Sequence, residues 1–446
     1  MGKKNSRKFK FYAIALVLML AGSFMITYGI SEWMNNIVID FSGQLSGNDV
    51  TAESGYWLDI QKAVDLVATN GGGNVYIPEG TFNFVTSADG LKAGARVIVP
   101  AGVNIFGAPT VKDNEGQVTD WKTVLEVPHE ASSFPQNGQE AGTSFQFFQF
   151  VGNGDPKKPS RFSDIKLVGY REFKSDSPYW YCGVNIYNVI DWRVDHCFFK
   201  HVTADAIFVS APPNGNFRGV VDHSKFINDY GYVDWWIYDC TVGYGISINP
   251  YGTTSWENDI TNVLGHYNWN TVFVEDCYFS RWRHCVCSNS GGHFVFRHNT
   301  IEKDSVVGSL DGHGVYDYVG TRAMEIYNNT IIDPVINWPP NYASTTPANG
   351  VEGYTVNWRG GGGVFYNNVV RNYKFGIFMT NEGSVQKCWP QDIWIWNNNW
   401  QNIGFSTVQA ESGQQEGIQY FLRAPTQTQD GFTYAPYPYP HPLTLG

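Results

Sequence analysis

A six-residue pattern recurs through the middle and end of the chain: apolar, variable, Asn/Asp/His, Cys/Ser/Asn, variable, apolar. It reads Val194-Asp195-His196-Cys197-Phe198-Phe199, Val221-Asp222-His223-Ser224-Lys225-Phe226 and Val274-Glu275-Asp276-Cys277-Tyr278-Phe279. It returns as Phe296-Arg297-His298-Asn299-Thr300-Ile301, Ile326-Tyr327-Asn328-Asn329-Thr330-Ile331, Phe365-Tyr366-Asn367-Asn368-Val369-Val370 and Ile395-Trp396-Asn397-Asn398-Asn399-Trp400. Alternation on either side of a polar pair predicts two short strands meeting at a bend. The third residue sits at the bend, where left-handed backbone is easiest for Asn, Asp or His. The fourth points inward and stacks on its equivalent one coil away, at the ~4.8 Å spacing of paired strands. Such repeats imply coils of parallel strands around one core. Ile237-Tyr238-Asp239-Cys240-Thr241-Val242 also fits, but it follows the Ser224 unit too closely for both to be rungs.

Ahead of the repeats, Ile60, Ala63, Val64 and Val67 fall at helical spacing within Asp59 to Ala68, and Gly71-Gly72-Gly73 ends that helix. Asn74 to Phe82 follows as a strand and turn through Pro78-Glu79-Gly80. This stretch resembles the N-terminal cap of the pectate lyase-like β-helix superfamily, and the inward Asn positions resemble the asparagine ladder of right-handed β-helices. The resemblance covers roughly residues 56–410. It implies an all-β fold: a single right-handed parallel β-helix with an N-terminal capping helix. It also makes Cys197 and Cys277 buried ladder thiols rather than half-cystines, and Cys240 as well if its unit is the rung instead of the Ser224 unit.

Lys3, Lys4, Arg7, Lys8 and Lys10 precede Phe11 to Ile30, a stretch with no charged residue. Twenty helical residues just cross a ~30 Å hydrocarbon core. Residues 1–30 are therefore expected to be a membrane anchor, or alternatively a cleaved signal segment, with the rest of the chain outside the cell. Residues 31–55 read as a linker with one strand at Ile37-Val38-Ile39, residues 56–423 as the β-helix, and residues 424–446 as a Pro/Tyr-rich tail. The tail is expected to be extended and polyproline-like, lying along the coils or projecting from them, with a disordered tail preferred. The net charge of −11 excludes a nucleic-acid partner, which needs a basic footprint. A neutral glycan would meet no such barrier. A polyanionic one would need a local basic patch or a bound cation.

The densest polar stretch runs from Ser280 to Asn329. Within it Asp311 and His313, on the loop Ser309 to Gly314, could act as acid and base or hold a metal. Gly312-His313-Gly314 is similar to the Gly-His-Gly of polygalacturonases, whose Asn-Thr-Asp and Asp-Asp elements are absent here. Parity from Asn329 points Glu325 and Tyr327 outward and Met324 and Ile326 inward, and it places Arg322 in the turn before the strand. The expected catalytic set is Asp311, His313, Arg322 and Glu325 on one exposed surface, with His284 and Arg297 at its edge. The outward column Asp195, Asp222, Glu275, Arg297, Tyr327, Tyr366, Trp396 reads as a glycan-binding stripe. The expected substrate-binding set is His284, Arg297, Tyr327, Tyr366 and Trp396. A hydrolase would use two carboxyls roughly 5–9.5 Å apart. A lyase would use a base together with Arg, or Ca²⁺ held by Asp/Glu. Cys285 and Cys287 alternate and are expected to face one way, which gives no convergence for zinc. The leading expectation is a surface-anchored polysaccharide lyase or hydrolase. Its rivals are a non-catalytic glycan-binding surface protein and a structural envelope component.

Overall fold

The computed structural model describes residues 48–85, 96–127, 145–169, 181–202, 205–228, 244–250, 259–280, 282, 284–302, 308–314, 319–332, 354–383 and 386–445. Residues 1–30, the Ile37 strand and the Cys240 unit lie outside these. Among the described residues no helix is long and apolar enough to cross a membrane.

Helix α1, Trp57–Thr69, buries the predicted face of Ile60, Ala63, Val64 and Val67. It ends at Asn70, and Gly71, Gly72 and Gly73 all take positive φ, which glycine alone adopts without a Cβ penalty. The strands then form three parallel sheets, of twelve, ten and ten strands among the described residues. Apart from an antiparallel pair, Val111–Lys112 with Val118–Asp120, each strand pairs with its equivalent one coil away. Thr271–Glu275, His293–Arg297, Ala323–Tyr327, Gly362–Tyr366 and Ile393–Trp396 lie side by side in the first sheet. The short strands after each bend, such as Thr300–Glu302 and Thr330–Ile332, form the second. The third holds His284–Ser288, Leu310–Gly312 and Tyr354–Trp358. The core lies inside the coils and contains Phe294, Phe296, Met324, Ile326 and Phe365, as parity predicted.

The bend geometry follows the sequence pattern. His196, His223, Asp276, His298, Asn328, Asn367 and Asn397 all take φ between 47° and 58°. The fourth positions form the ladder. Asn398 Oδ1 accepts from Asn368 N–H, Asn368 Oδ1 from Asn329 N–H, Asn329 Oδ1 from Asn299 N–H, and Asn299 Oδ1 from Cys277 N–H. Ser224 Oγ accepts from Cys197 N–H, so the Ser224 unit is a rung. Cys197 and Cys277 are buried free thiols. Their N–H groups are satisfied by the ladder, and burial raises both thiols well above their usual range.

Two local expectations need correction. Ser309 to Gly314 is not a loop throughout, because Leu310 enters the core and Leu310–Gly312 pairs as a strand. Cys285 and Cys287 do not face one way. The register is constant from Tyr244↔His284 to Ile248↔Ser288, yet Cys285 and Val286 both belong to the core, while Cys287 Sγ lies 3.5 Å from Ser247 Oγ.

Near the end of the chain, in a 3-10 turn at Pro442–Thr444, the Leu443 N–H donates to the His441 ring.

The ladder yields a stability prediction. Asn329→Leu removes the acceptor of the Asn299 N–H inside the core. Orphaning such a group costs about 1–3 kcal/mol, so chemical denaturation should show a loss of that size, whereas Asn328→Asp at the exposed bend should change little.

Candidate functional site

The outward stripe of the first sheet is present but closed. Asp195, Asp222, Glu275 and Arg297 are fully buried. Arg161 grips Asp195 through Nε at 2.7 Å, Arg193 grips Asp222 at 2.9 and 2.8 Å, and Arg297 reaches Glu275 at 2.8 Å. Arg161 and Arg193 lie two residues before the acidic column, on the same face, and reach it diagonally. Burial works to raise the Asp195 carboxyl, but Arg193, His196 and Arg161 outweigh it and hold the group far below its usual range. These carboxylates balance arginines and are not free to act on a ligand.

The aromatic end of the stripe is closed by stacking. Tyr366 has Tyr327 on one face (4.8 Å, 16° between rings) and Trp396 on the other (4.3 Å, 1°). Rings at one register, one coil apart, must meet face to face, so Tyr366 keeps no ring face for a sugar. The edges are covered by the C-terminal tail, which corrects the preference for a disordered segment. Tyr434 makes edge contacts with Tyr327, Tyr366 and Trp396, each at 72°. Phe432 packs on Trp394, and the Tyr437 carbonyl accepts from Arg297 Nη1 at 2.6 Å.

Glu325 lies beneath this cover, fully buried. Its oxygens accept from the Tyr434 hydroxyl at 2.5 Å and from Gly265 N–H at 3.0 and 3.1 Å, and His293 Nε2 lies 2.8 Å away. Asp311 is also fully buried, but on the third sheet. Arg359 donates to its two oxygens at 3.0 and 2.5 Å, His313 Nε2 lies 2.8 Å away, and His284 Nε2 lies at 3.7 Å. Arg359 also grips Glu382 at 2.5 Å, and Gly314 N–H donates to Glu382 at 2.7 Å. Burial would raise the Asp311 carboxyl, but Arg359, His313 and His284 hold it well below its usual range. Burial would lower His313, and Asp311 reverses that.

The expectation of one exposed surface is therefore not met. Asp311, His313 and His284 cluster on the third sheet, whereas Glu325 and Arg297 belong to the first. Neighbouring strands in one stretch of sequence belong to different sheets once the chain has turned. Arg322 does sit in the turn, next to Ala323. Arg359 and Glu382 were missed because they come from later coils.

Arg322 instead lines a cleft of about 270 Å³ with Asn214, Asn216, Asn268, Trp269, Asn270 and His293. Trp269 is 51% exposed, and Arg218 stacks over its ring at 4.4 Å. Asn270 Oδ1 is buried with no partner among the described residues. Asp191 holds the Arg218 guanidinium through two bonds of 2.7 and 2.9 Å. No sequence pattern pointed here, because four separate connections supply the lining. The nearest signal was the run Asn268-Trp269-Asn270, three sugar-compatible side chains in a row. Among the described residues no three His, Cys, Asp or Glu side chains converge as a metal site needs.

No family model matches this chain, and no curated protein matches it. Its fold is similar to solved structures. A tailspike protein double mutant of E. coli bacteriophage HK620 is 17% identical with a TM-score of 0.50, covering 81% of this chain and 56% of that one. A mutant of the same tailspike in complex with a pentasaccharide is 15% identical, with a TM-score of 0.49 and the same coverage. The alginate lyase from Paenibacillus sp. str. FPU-7 is 10% identical with a TM-score of 0.41, covering 82% of this chain and 99% of that one. The chain thus spans little more than half the length of the tailspikes. At these identities the likeness is one of fold, and it agrees with the three parallel sheets.

The buried ion pairs set an acid limit. The folded-state carboxyls of Asp195 and Asp311 are depressed, so their stabilisation is complete above the unfolded value of about 3.9 and is lost as pH falls toward the folded value. Thermal unfolding followed against pH should be insensitive to Asp195 and Asp311 above about pH 5 and should weaken progressively below about pH 4. Arg193→Met takes the guanidinium from buried Asp222 and leaves it with the His223 ring at 2.9 Å, and should cost up to about 3–5 kcal/mol in denaturant unfolding at neutral pH.

Proposed function

We propose that this parallel β-helix protein is a glycan-binding surface protein whose ligand enters the cleft around Trp269. The observation that carries this reading is the cleft's lining: several asparagine amides, an exposed indole face and a buried amide oxygen awaiting a donor. Sugars offer apolar C–H faces to a ring and hydroxyl groups that both donate and accept, which is what amides pair with. The volume of about 270 Å³ lies just below the range of ligand sites, roughly 300–1,000 Å³, and suits one or two sugar units of a longer chain. Arg322 in the lining adds positive charge on an acidic protein, so an anionic sugar is accommodated as well as a neutral one. The basic N-terminus and the uncharged stretch after it support an anchored, extracellular position.

Binding is preferred to cleavage because Glu325 and Asp311 are both buried and committed to partners. A cleavage reading has one observation in its favour. His313 and Glu382 keep partial exposure beside Arg359, at 18% and 12% of their side chains, so an acid–base reaction on the third sheet would fall to them.

The test is an array of neutral and acidic polysaccharides probed with the domain, followed by titration of any ligand found. Trp269→Ala and Asn270→Ala should each weaken binding about tenfold or more, as truncation of a central contact does. Unaltered affinity in both variants would falsify the cleft as the site. Parallel assays for unsaturated products and reducing ends decide the alternative: turnover lost in His313→Ala and kept in Trp269→Ala would favour cleavage.

A further inference from the structure

The cleft owes much of its wall to the connection 259–270, which supplies Val263, Asn268, Trp269 and Asn270. That connection carries little regular structure beyond a 3-10 turn at Ile260–Asn262. Its far end is held by Phe217 and Arg218 N–H, which donate to the Trp269 carbonyl at 3.0 and 2.9 Å, and the rest by a set of contacts ending on the C-terminal tail. Gly265 N–H donates to both Glu325 oxygens, at 3.0 and 3.1 Å. The Tyr434 hydroxyl donates to Glu325 Oε2 at 2.5 Å. His293 Nε2 lies 2.8 Å from the other oxygen, and its Nδ1 lies 2.9 Å from Thr271 Oγ1. Thr271 Oγ1 in turn accepts from Asn268 N–H at 3.1 Å. Tyr437 places its ring 5.5 Å from that of Tyr267, whose hydroxyl donates to Asp191, the residue that orients Arg218 over Trp269. Contact is close enough that a Cβ on Gly265 would collide with the Ala435 carbonyl.

We infer that the C-terminal tail is a positioning part of the cleft, with Tyr434 acting through Glu325 to hold the connection that carries Asn268, Trp269 and Asn270. The glycan-binding reading supplies the ligand; the coupling itself stands on the hydrogen bonds. Burial and the neighbouring Glu325 raise the Tyr434 phenol well above its usual range, so this donor keeps its proton across neutral pH. A tail that served only as a cover would need its rings and not its hydroxyl. That difference separates the two roles.

The experiment compares full-length wild type with Tyr434→Phe, which keeps the ring and removes the donor, and with Gly265→Ala, which forces connection and tail apart. Hydrogen exchange of 259–270 is read alongside affinity for the glycan found in the array. In Tyr434→Phe, exchange of that segment should rise, and affinity should fall, by about tenfold, the scale of one hydrogen bond to a charged group. Exchange of the core strands around Phe294 and Phe296 should stay as in wild type. Gly265→Ala should move both readouts the same way. If Tyr434→Phe matches wild type in both, the tail is only a cover and the inference is overturned. Faster exchange with undiminished affinity overturns it as well. If wild type binds no glycan, the function proposed above fails, and the exchange comparison decides the coupling alone.

Discussion

Stacking one coil on the next in parallel register is the constraint on which the rest of this protein depends. At that register every side chain meets the side chain of the same rank in the neighbouring coils. Inside the core this favours like on like: asparagines pass hydrogen bonds from coil to coil, and Phe199, Phe226 and Phe279 stack ring on ring. Outside, the same rule would set Asp195, Asp222 and Glu275 against one another. The chain resolves the repulsion with arginines offset by two residues or by one coil, and each carboxylate faces a guanidinium. Buried ion pairs of this kind add little net stability, but breaking one leaves an unbalanced charge.

The same constraint separates scaffold from site. Side chains inside the coils and along the outer column of the first sheet are consumed by their neighbours, whether in ladders, stacks or ion pairs. Chemistry that can reach a ligand falls to the connections between coils, where register is not enforced. The cleft around Trp269 is assembled in this way, from connections that meet above the first sheet. Such segments have few backbone bonds between coils, such as those from Phe217 and Arg218 to Trp269, and the C-terminal tail adds to them.

What the sequence determined by itself was local. The alternation of apolar residues, the polar pair at each bend, and the spacing of Ile60, Ala63, Val64 and Val67 are short-range signals. They were sufficient for the parallel coils, the ladder, the cap and the direction of Glu325, Tyr327, Met324 and Ile326, because parity and bend geometry act over two to four residues. What only the tertiary structure decided was what covers those outward side chains. Asp311 and Glu325 are near in sequence but belong to different sheets. Tyr434 and Glu325 are 109 positions apart and share a hydrogen bond. Arg359 reaches Asp311 from 48 positions away. Whether an outward residue meets solvent, an arginine or the end of the chain depends on where distant segments return, and no period in the sequence encodes that.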